Sequence, residues 1–510
     1  MLPKAVSTVV VGAGPAGAVV AARLAEAGED VLVLEAGPDY GAADSGRWPA
    51  PLLDPTLMPV EDESWEYTSS CALGTPAMAL QRARVIGGCS SHNGCAAVWG
   101  HWSDYDAWAV ENPGWSAADL EPLFRTVNEK LRVHVPPRDQ ITPFHQAVLA
   151  AAEEAGYPRI ADLSSLDPVH GFAIGPINID PTTRIRWNAA FAYLDPLRAL
   201  PNLRIEGDTL VDKVTLNGTL ATGVDVIGPE GPAHIDAERV ILAAGAYGSP
   251  LILLRSGIGA AAELNDYGIT PQHDLPAVGK NLHDHPAIGV HYQPKAETVA
   301  ALDAFAAAGG LAREEGTIGL ARSRRCAGPY DLHLYPVASR PFGGKGWQVH
   351  ISAAVMAPRS RGTIRLNAEH PTDPEAVPDI DTNYFSDLEG YDLDALADAF
   401  VLCRDLGAQP ALAALFAAEL APGPRVHSRE AIYDWIRHHA THDYHPAGSC
   451  RMGPASDPTA VVDASGRVHG LAGLLVVDAA IMPFVTLANT NVPTFVGAEK
   501  IARDLTSREA

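Results

Sequence analysis

Residues 7–37 read STVVVGAGPAGAVVAARLAEAGEDVLVLEAG, and this stretch decides the fold. Residues 7–11 are a short, β-branched, apolar run closed by glycine, the pattern of a buried parallel strand. Gly12, Gly14 and Gly17 then punctuate a turn that also holds Pro15 and Ala16. Residues 18–27 have helical composition and stop at Gly28. Residues 31–34 form a second apolar run, with Glu35 and Ala36 at its carboxyl end. Strand, glycine turn, helix, strand and acid make one βαβ unit. Gly12 permits the tight turn, Gly14 lets backbone approach a pyrophosphate, and Gly17 lets helix and strand pack closely. The helix amino terminus offers unpaired N–H groups to an anion. Glu35 is placed to accept hydrogen bonds from a ribose diol. The fingerprint predicts a dinucleotide and does not choose between FAD and NAD.

Composition frames that unit. A chain of 510 residues exceeds one core and fits two domains. Hydrophobic residues at 47% and charged residues at 19% exclude a disordered tail and a small disulfide scaffold. Lys and Arg number 37 against 61 Asp and Glu, a formal charge of −24 that repels nucleic acid and anionic membrane. Cys71, Cys89, Cys95, Cys326, Cys403 and Cys450 show no CxxC spacing, as expected of a reduced, cytoplasmic protein without a thiolate metal cage. The apolar run 6–22 is broken by Gly12, Gly14, Pro15 and Gly17, which argues against a signal peptide. No stretch reads as a membrane span.

Further along, 40–85 reads as long loops and 87–100 as a Gly/Ser/Cys-rich stretch. Residues 118–132 and 142–156 have helical spacing. Residues 203–241 alternate, with turn signals at Asn217-Gly218 and 228–231, predicting a small β-meander before a buried strand at 240–243. Residues 345–384 read as strands split at 358–362, 391–420 as alanine-rich helix, and 493–504 as a helix with Pro493 in its first turn.

Four more segments follow in order: RVIGGCSSHNG (84–94), GAYGSPLILLRSGIG (245–259), YHPAGSCRMG (444–453), and VDAAIMP (477–483) leading to NTNVPT (489–494). With the opening turn, they resemble the glucose-methanol-choline (GMC) oxidoreductases from end to end, nearest to the choline-oxidase-like branch. The resemblance implies an α/β (α+β overall) architecture. A Rossmann-like FAD-binding domain with a parallel sheet would comprise residues 1–135, 195–288 and 446–510. A substrate-binding domain with an antiparallel sheet would comprise 136–194 and 289–445. The implied cofactor is FAD. Beside the fingerprint residues, the implied cofactor contacts are Arg84, Gly87, Gly88, Ser91, His92, Asn93, Gly94, Cys95, Ala96, Val211, Ala244, Asp478, Ala479, Asn489, Thr490 and Asn491. His92 matches the histidine that this branch links covalently to the flavin.

Oxidising an alcohol requires a base for the hydroxyl proton and an acceptor for the hydride. His445 is the expected base, set on an extended backbone by Pro446. Asn489 is its expected partner, able to donate to the substrate oxygen. The helix that follows would aim its amino end at the flavin and stabilise negative charge there. Trp65 and Tyr444 match two aromatics of the choline pocket, whereas Thr317 falls where that branch has a carboxylate. Asp443 replaces an apolar residue beside the flavin edge, which keeps a dehydrogenase passing electrons to a quinone or protein beside an oxidase using O2. His283-Asp-His285 reads as a junction segment rather than a metal site, and no metal is expected. The expected activity is oxidation of a small alcohol, amino alcohol, polyol or sugar by a monomer or homodimer. The alternative is a hydroxynitrile-lyase-type flavoprotein of the same family, with no net redox.

Overall fold

The computed structural model describes residues 2–59, 63–70, 76–340 and 346–507; Cys71 and parts of the 40–85 and 345–384 readings lie outside them. β1 (Ala5–Val11) runs parallel to β2 (Val31–Leu34) on one side and to the second half of Gly231–Leu242 on the other. Leu203–Glu206 extends the parallel set beyond β2, and Leu474–Val476 lies beside the end of Gly231–Leu242. The hairpin Leu210–Asn217 and Leu220–Gly228 continues the same seven-stranded sheet antiparallel. The predicted meander is these three strands, and its third, Gly231–Leu242, runs on as one strand into the buried run expected at 240–243. α1 (Pro15–Glu26) begins earlier than its composition suggests, since Pro15 fits the first helical turn. It packs against the terminal helix Asn491–Ser507, and Arg23 bridges to Glu499 at 2.7 Å.

The second sheet is antiparallel, in the order Phe416–Ala421, Pro286–Pro294, Gln348–Val355, Leu332–Ser339, Thr317–Ala321, Gly171–Ile174. Helices Pro143–Glu154 and Tyr391–Gly407 pack against it. Two differences from the sequence reading concern boundaries. Strand Pro286–Pro294 begins before residue 289, and 189–194 together with Ile364, Leu366 and Ile380 pack into the core of the first sheet. A third concerns Phe416–Ala421, read as helix from its alanines but pairing with Pro286–Pro294 as an edge strand. Tertiary pairing there outweighs local propensity. Among the described residues, no helix is long and apolar enough to cross a membrane, and the five described cysteines are unpaired.

Candidate active site

One cavity of about 680 Å³ runs from the glycine turn to the loop carrying His445. Gly12, Gly14, Pro15, Ala16, Glu35 and Ala36 line its nucleotide end, as do Val211 and Ala244. Gly12 has φ +95°, and a Cβ on Gly17 would stand 1.9 Å from the Gly12 carbonyl oxygen. Gly14 is different: a Cβ there would meet no protein atom nearer than 3.6 Å. The protein leaves that space clear, as a closely approaching pyrophosphate needs. The Glu35 carboxylate accepts from the Ala13 amide at 2.9 Å and the Gly37 amide at 3.0 Å, which fixes it at the cavity edge.

Gly88, His92, Asn93, Gly94 and Ala96 also reach the cavity. Five predicted cofactor residues, Gly17, Arg84, Gly87, Ser91 and Cys95, are not among its lining. They shape the turns instead. The Gly87 amide donates to the Ala13 carbonyl at 2.9 Å, and Ser91 Oγ donates to the Ile86 carbonyl at 2.8 Å. Cys95 is buried at φ +62°, and Arg84 is clamped on Glu375 by two bonds of 2.8 Å. Asp478 lines the cavity, but its carboxylate is taken by the Gly245 amide (2.9 Å), the Ala480 amide (2.7 Å) and Ser249. Asp478 thus ties two turns together, and Ala479 beside it lines the cavity.

The chemistry concentrates around His445. Tyr444 sits at φ +61°, and its carbonyl accepts from Arg82 at 3.0 Å. The His445 amide donates to Asp284 Oδ1 at 2.8 Å. Its ring has Nδ1 at 3.0 Å from His285 Nδ1, and Nε2 at 3.1 Å from Asn489 Nδ2. His285 Nε2 lies 3.1 Å from the Thr486 carbonyl oxygen. A carbonyl only accepts, so His285 carries its proton on Nε2 and presents a lone pair at Nδ1. His445 must then donate from Nδ1, which leaves the lone pair on Nε2, where the Asn489 amide donates. Both ends of the chain of bonds assign the same tautomer. Burial, reinforced by the Arg82 charge, pushes His445 down to about 3, so the ring is neutral.

The His283-Asp-His285 segment is the brace of this loop. The Val485 amide donates to His283 Nε2 at 2.7 Å, Asp284 holds the His445 backbone and His285 holds its ring. His285, Asp443 and His445 do bring one ligand atom each within 4.8 Å of one another, but the two Nδ1 atoms already share a hydrogen bond. The role of His285 was missed on sequence. The signal lay in the HDHP segment itself, where buried histidines need partners.

The acids correct a second expectation. Thr317 is not the carboxylate substitute; its Oγ1 accepts from His145 Nδ1 at 3.0 Å, outside the cavity lining. Glu314, Glu315 and Asp443 line the cavity instead, with Tyr335. Burial and mutual repulsion push Glu314 up to about 7 and Glu315 to about 8, and burial pushes Asp443 to about 8. The Asp443 carboxyl is 3.3 Å from His445 Nδ1. Trp65 and Tyr444 both line the cavity, but each ring carries a guanidinium, Arg84 at 4.5 Å and Arg82 at 5.5 Å.

An FAD fits this chain's residues. His92 Nδ1, Asn489 Oδ1 and Asn491 Nδ2 are buried, lack partners in the protein and belong to residues that line the cavity. An isoalloxazine ring, with its carbonyls and ring nitrogens, supplies such partners. Asn491 opens the terminal helix, whose first turn, with Thr490 and Thr494 beside it, borders the cavity. The buried His92 ring is pushed down to about 3 by burial and by Arg82 and Arg186, so it is neutral.

Family models described as GMC oxidoreductase match residues 6–287 and 358–498. The oxygen-dependent choline dehydrogenase of Serratia proteamaculans is 36% identical over 545 aligned residues, covering 98% of this chain and 95% of that one. The enzyme of the same name from Pseudomonas aeruginosa is 36% identical over 98% of this chain and 94% of its own length. Among solved structures, pyridoxine 4-oxidase from Mesorbium loti superposes with a TM-score of 0.85 at 28% identity, covering 98% of this chain and 99% of that one.

Proposed function

The chain belongs to the GMC oxidoreductases, and from that premise we propose that it is an FAD-dependent enzyme oxidising the CH–OH group of a small alcohol to a carbonyl. The observation that carries this reading is the His285–His445–Asn489 chain, which holds a neutral imidazole at the cavity with its Nε2 lone pair on the Asn489 amide. Bound FAD supplies the hydride acceptor. When the substrate hydroxyl enters, the Asn489 amide turns from His445 Nε2 to the substrate oxygen, and the freed Nε2 lone pair takes the hydroxyl proton as the carbon gives up its hydride. The Asn489 amide donates to the developing alkoxide. The proton that arrives makes an imidazolium, whose second N–H, at Nδ1, lies beside Asp443. Burial holds Asp443 protonated below about 8, so it offsets that charge only once it has given up its own proton. The remaining electron pair leaves through O2 or another acceptor, and choline-dehydrogenase relatives named as oxygen-dependent support the former.

His92 is proposed as a covalent attachment point through a ring nitrogen. Acid-precipitated holoprotein then stays yellow, and a colourless pellet overturns the linkage. The function itself is tested by mixing the holoprotein anaerobically with a panel of alcohols, polyols and sugars and then admitting air. The expected result is bleaching of the flavin and recovery of colour. A cyanohydrin converted to carbonyl while the flavin stays oxidised, with no alcohol bleaching it, indicates a lyase instead.

A further inference from the structure

Two carboxyl oxygens on the cavity wall lack donors. Asp443 is only 7% exposed, and neither its Oδ2 nor Glu315 Oε2 meets a donor in the protein. Buried acceptor atoms without donors are costly, and three acids gathered on one cavity wall repel one another when ionised. Arg313 acts on Glu315, but it is not among the cavity lining, and burial with the Asp443 charge outweighs it. The site therefore asks for positive charge and for N–H or O–H groups together.

The aromatic rings decide which kind of cation fits. A quaternary ammonium is held on open aromatic faces. Here Trp65 stacks on Tyr67 at 5.6 Å and carries Arg84, Tyr444 carries Arg82, and Trp435 stacks on His439 at 3.4 Å. Each of those rings has a partner on a face, and Tyr335, the ring nearest the acids, spends its hydroxyl on Asp443, whereas Asp443 Oδ2 and Glu315 Oε2 have no donor. An N–H to carboxylate bond is short and strong, and a methyl group offers none. Resting on the reading of this cavity as an alcohol-oxidising site, we propose that the substrate is a short amino alcohol whose protonated nitrogen keeps at least one N–H. Glu314, Glu315 and Asp443 hold the nitrogen, and His445 and Asn489 hold the hydroxyl. Because Asp443 lies 3.3 Å from the His445 ring, nitrogen and hydroxyl belong on adjacent or next-but-one carbons. The relatives named for choline then differ from this chain in the head group they accept.

The test is anaerobic flavin reduction of the holoenzyme by 2-aminoethanol, its N-methyl, N,N-dimethyl and N,N,N-trimethyl derivatives, and 1-propanol. The expected result is at least about a tenfold loss of second-order rate constant at the last methylation, where the final N–H disappears, and a similar loss for 1-propanol. Glu315→Gln and, separately, Glu314→Gln, each checked for flavin content and Tm, should cut the rate constant for amino alcohols about tenfold and leave that for 1-propanol within about twofold. Equal or better reduction by the trimethyl compound or by 1-propanol overturns the proposal while leaving alcohol oxidation intact. If no alcohol of any kind bleaches the flavin, the reading of the site falls and this proposal falls with it.

Discussion

The two ends of the cavity are built by different means. At the nucleotide end, the turn from Gly12 to Ala16 presents backbone and glycine hydrogens, and Glu35, Ala36, Val211 and Ala244 close the same end. At the reacting end, side chains converge from distant places: His285 and His445 are 160 residues apart, and Asn489 comes from a further loop. Backbone sites tolerate side-chain change but not added bulk. Side-chain sites tolerate backbone change but depend on each hydrogen bond. That contrast predicts how each end breaks.

The largest effect belongs to the reacting end. His445→Ala should slow flavin reduction by about 10²–10⁴-fold with flavin content unchanged, as measured by anaerobic stopped flow. His285→Ala comes next. It touches no substrate in this account, but it frees His445 to adopt the wrong tautomer. The loss of one buried hydrogen bond, about 1–3 kcal/mol, gives a rate roughly 5- to 150-fold lower. Substrate KM should barely move, which separates a tautomer defect from a collapsed pocket.

The nucleotide end breaks in two distinguishable ways. Gly17→Ala places a methyl on the Gly12 carbonyl and should lower the stability of the protein itself by at least about 1–3 kcal/mol. Gly14→Ala meets no protein atom closer than 3.6 Å. It should leave the melting temperature of flavin-free protein unchanged and lower flavin incorporation. Equal stability losses for the two would erase the distinction between a packing glycine and a cofactor glycine.

The smallest effect is a pH dependence. Burial raises Asp443 from the ordinary carboxylate range to about 8. The folded state therefore holds a proton there that the unfolded state releases, so this group's contribution to stability falls as pH rises from about 4 to about 8. Asp443→Asn removes that fall. The variant's Tm should gain on the wild type with rising pH across this window, and a constant difference would contradict the burial argument.

The same contrast explains what could be read from the chain alone. The βαβ unit is legible because β-branched runs, glycines and Glu35 sit in one window of residues. His445 and Asn489 were legible only as parts of segments shared with a family. His285 looked like a junction residue, since nothing local says that its ring meets another 160 residues away. Arg84 and Cys95 sit in the right motif yet do not line the cavity: Arg84 pairs with Glu375 and Cys95 is buried. Glu314 and Glu315 could not be placed on sequence, because the loop before Thr317–Ala321 has no periodicity to give its direction. Phe416–Ala421 shows the same limit for fold: its alanines favour helix, and only the neighbouring strand makes it sheet.

Chemical rescue of His445→Ala tests the central claim most directly, since it asks whether a free imidazole can replace the missing ring. Anaerobic flavin reduction by a good alcohol substrate should be slow in the variant and should accelerate in proportion to added imidazole, more so as imidazole becomes neutral with rising pH. Reduction as fast in the variant as in the wild type, with or without imidazole, would show that the proton goes elsewhere.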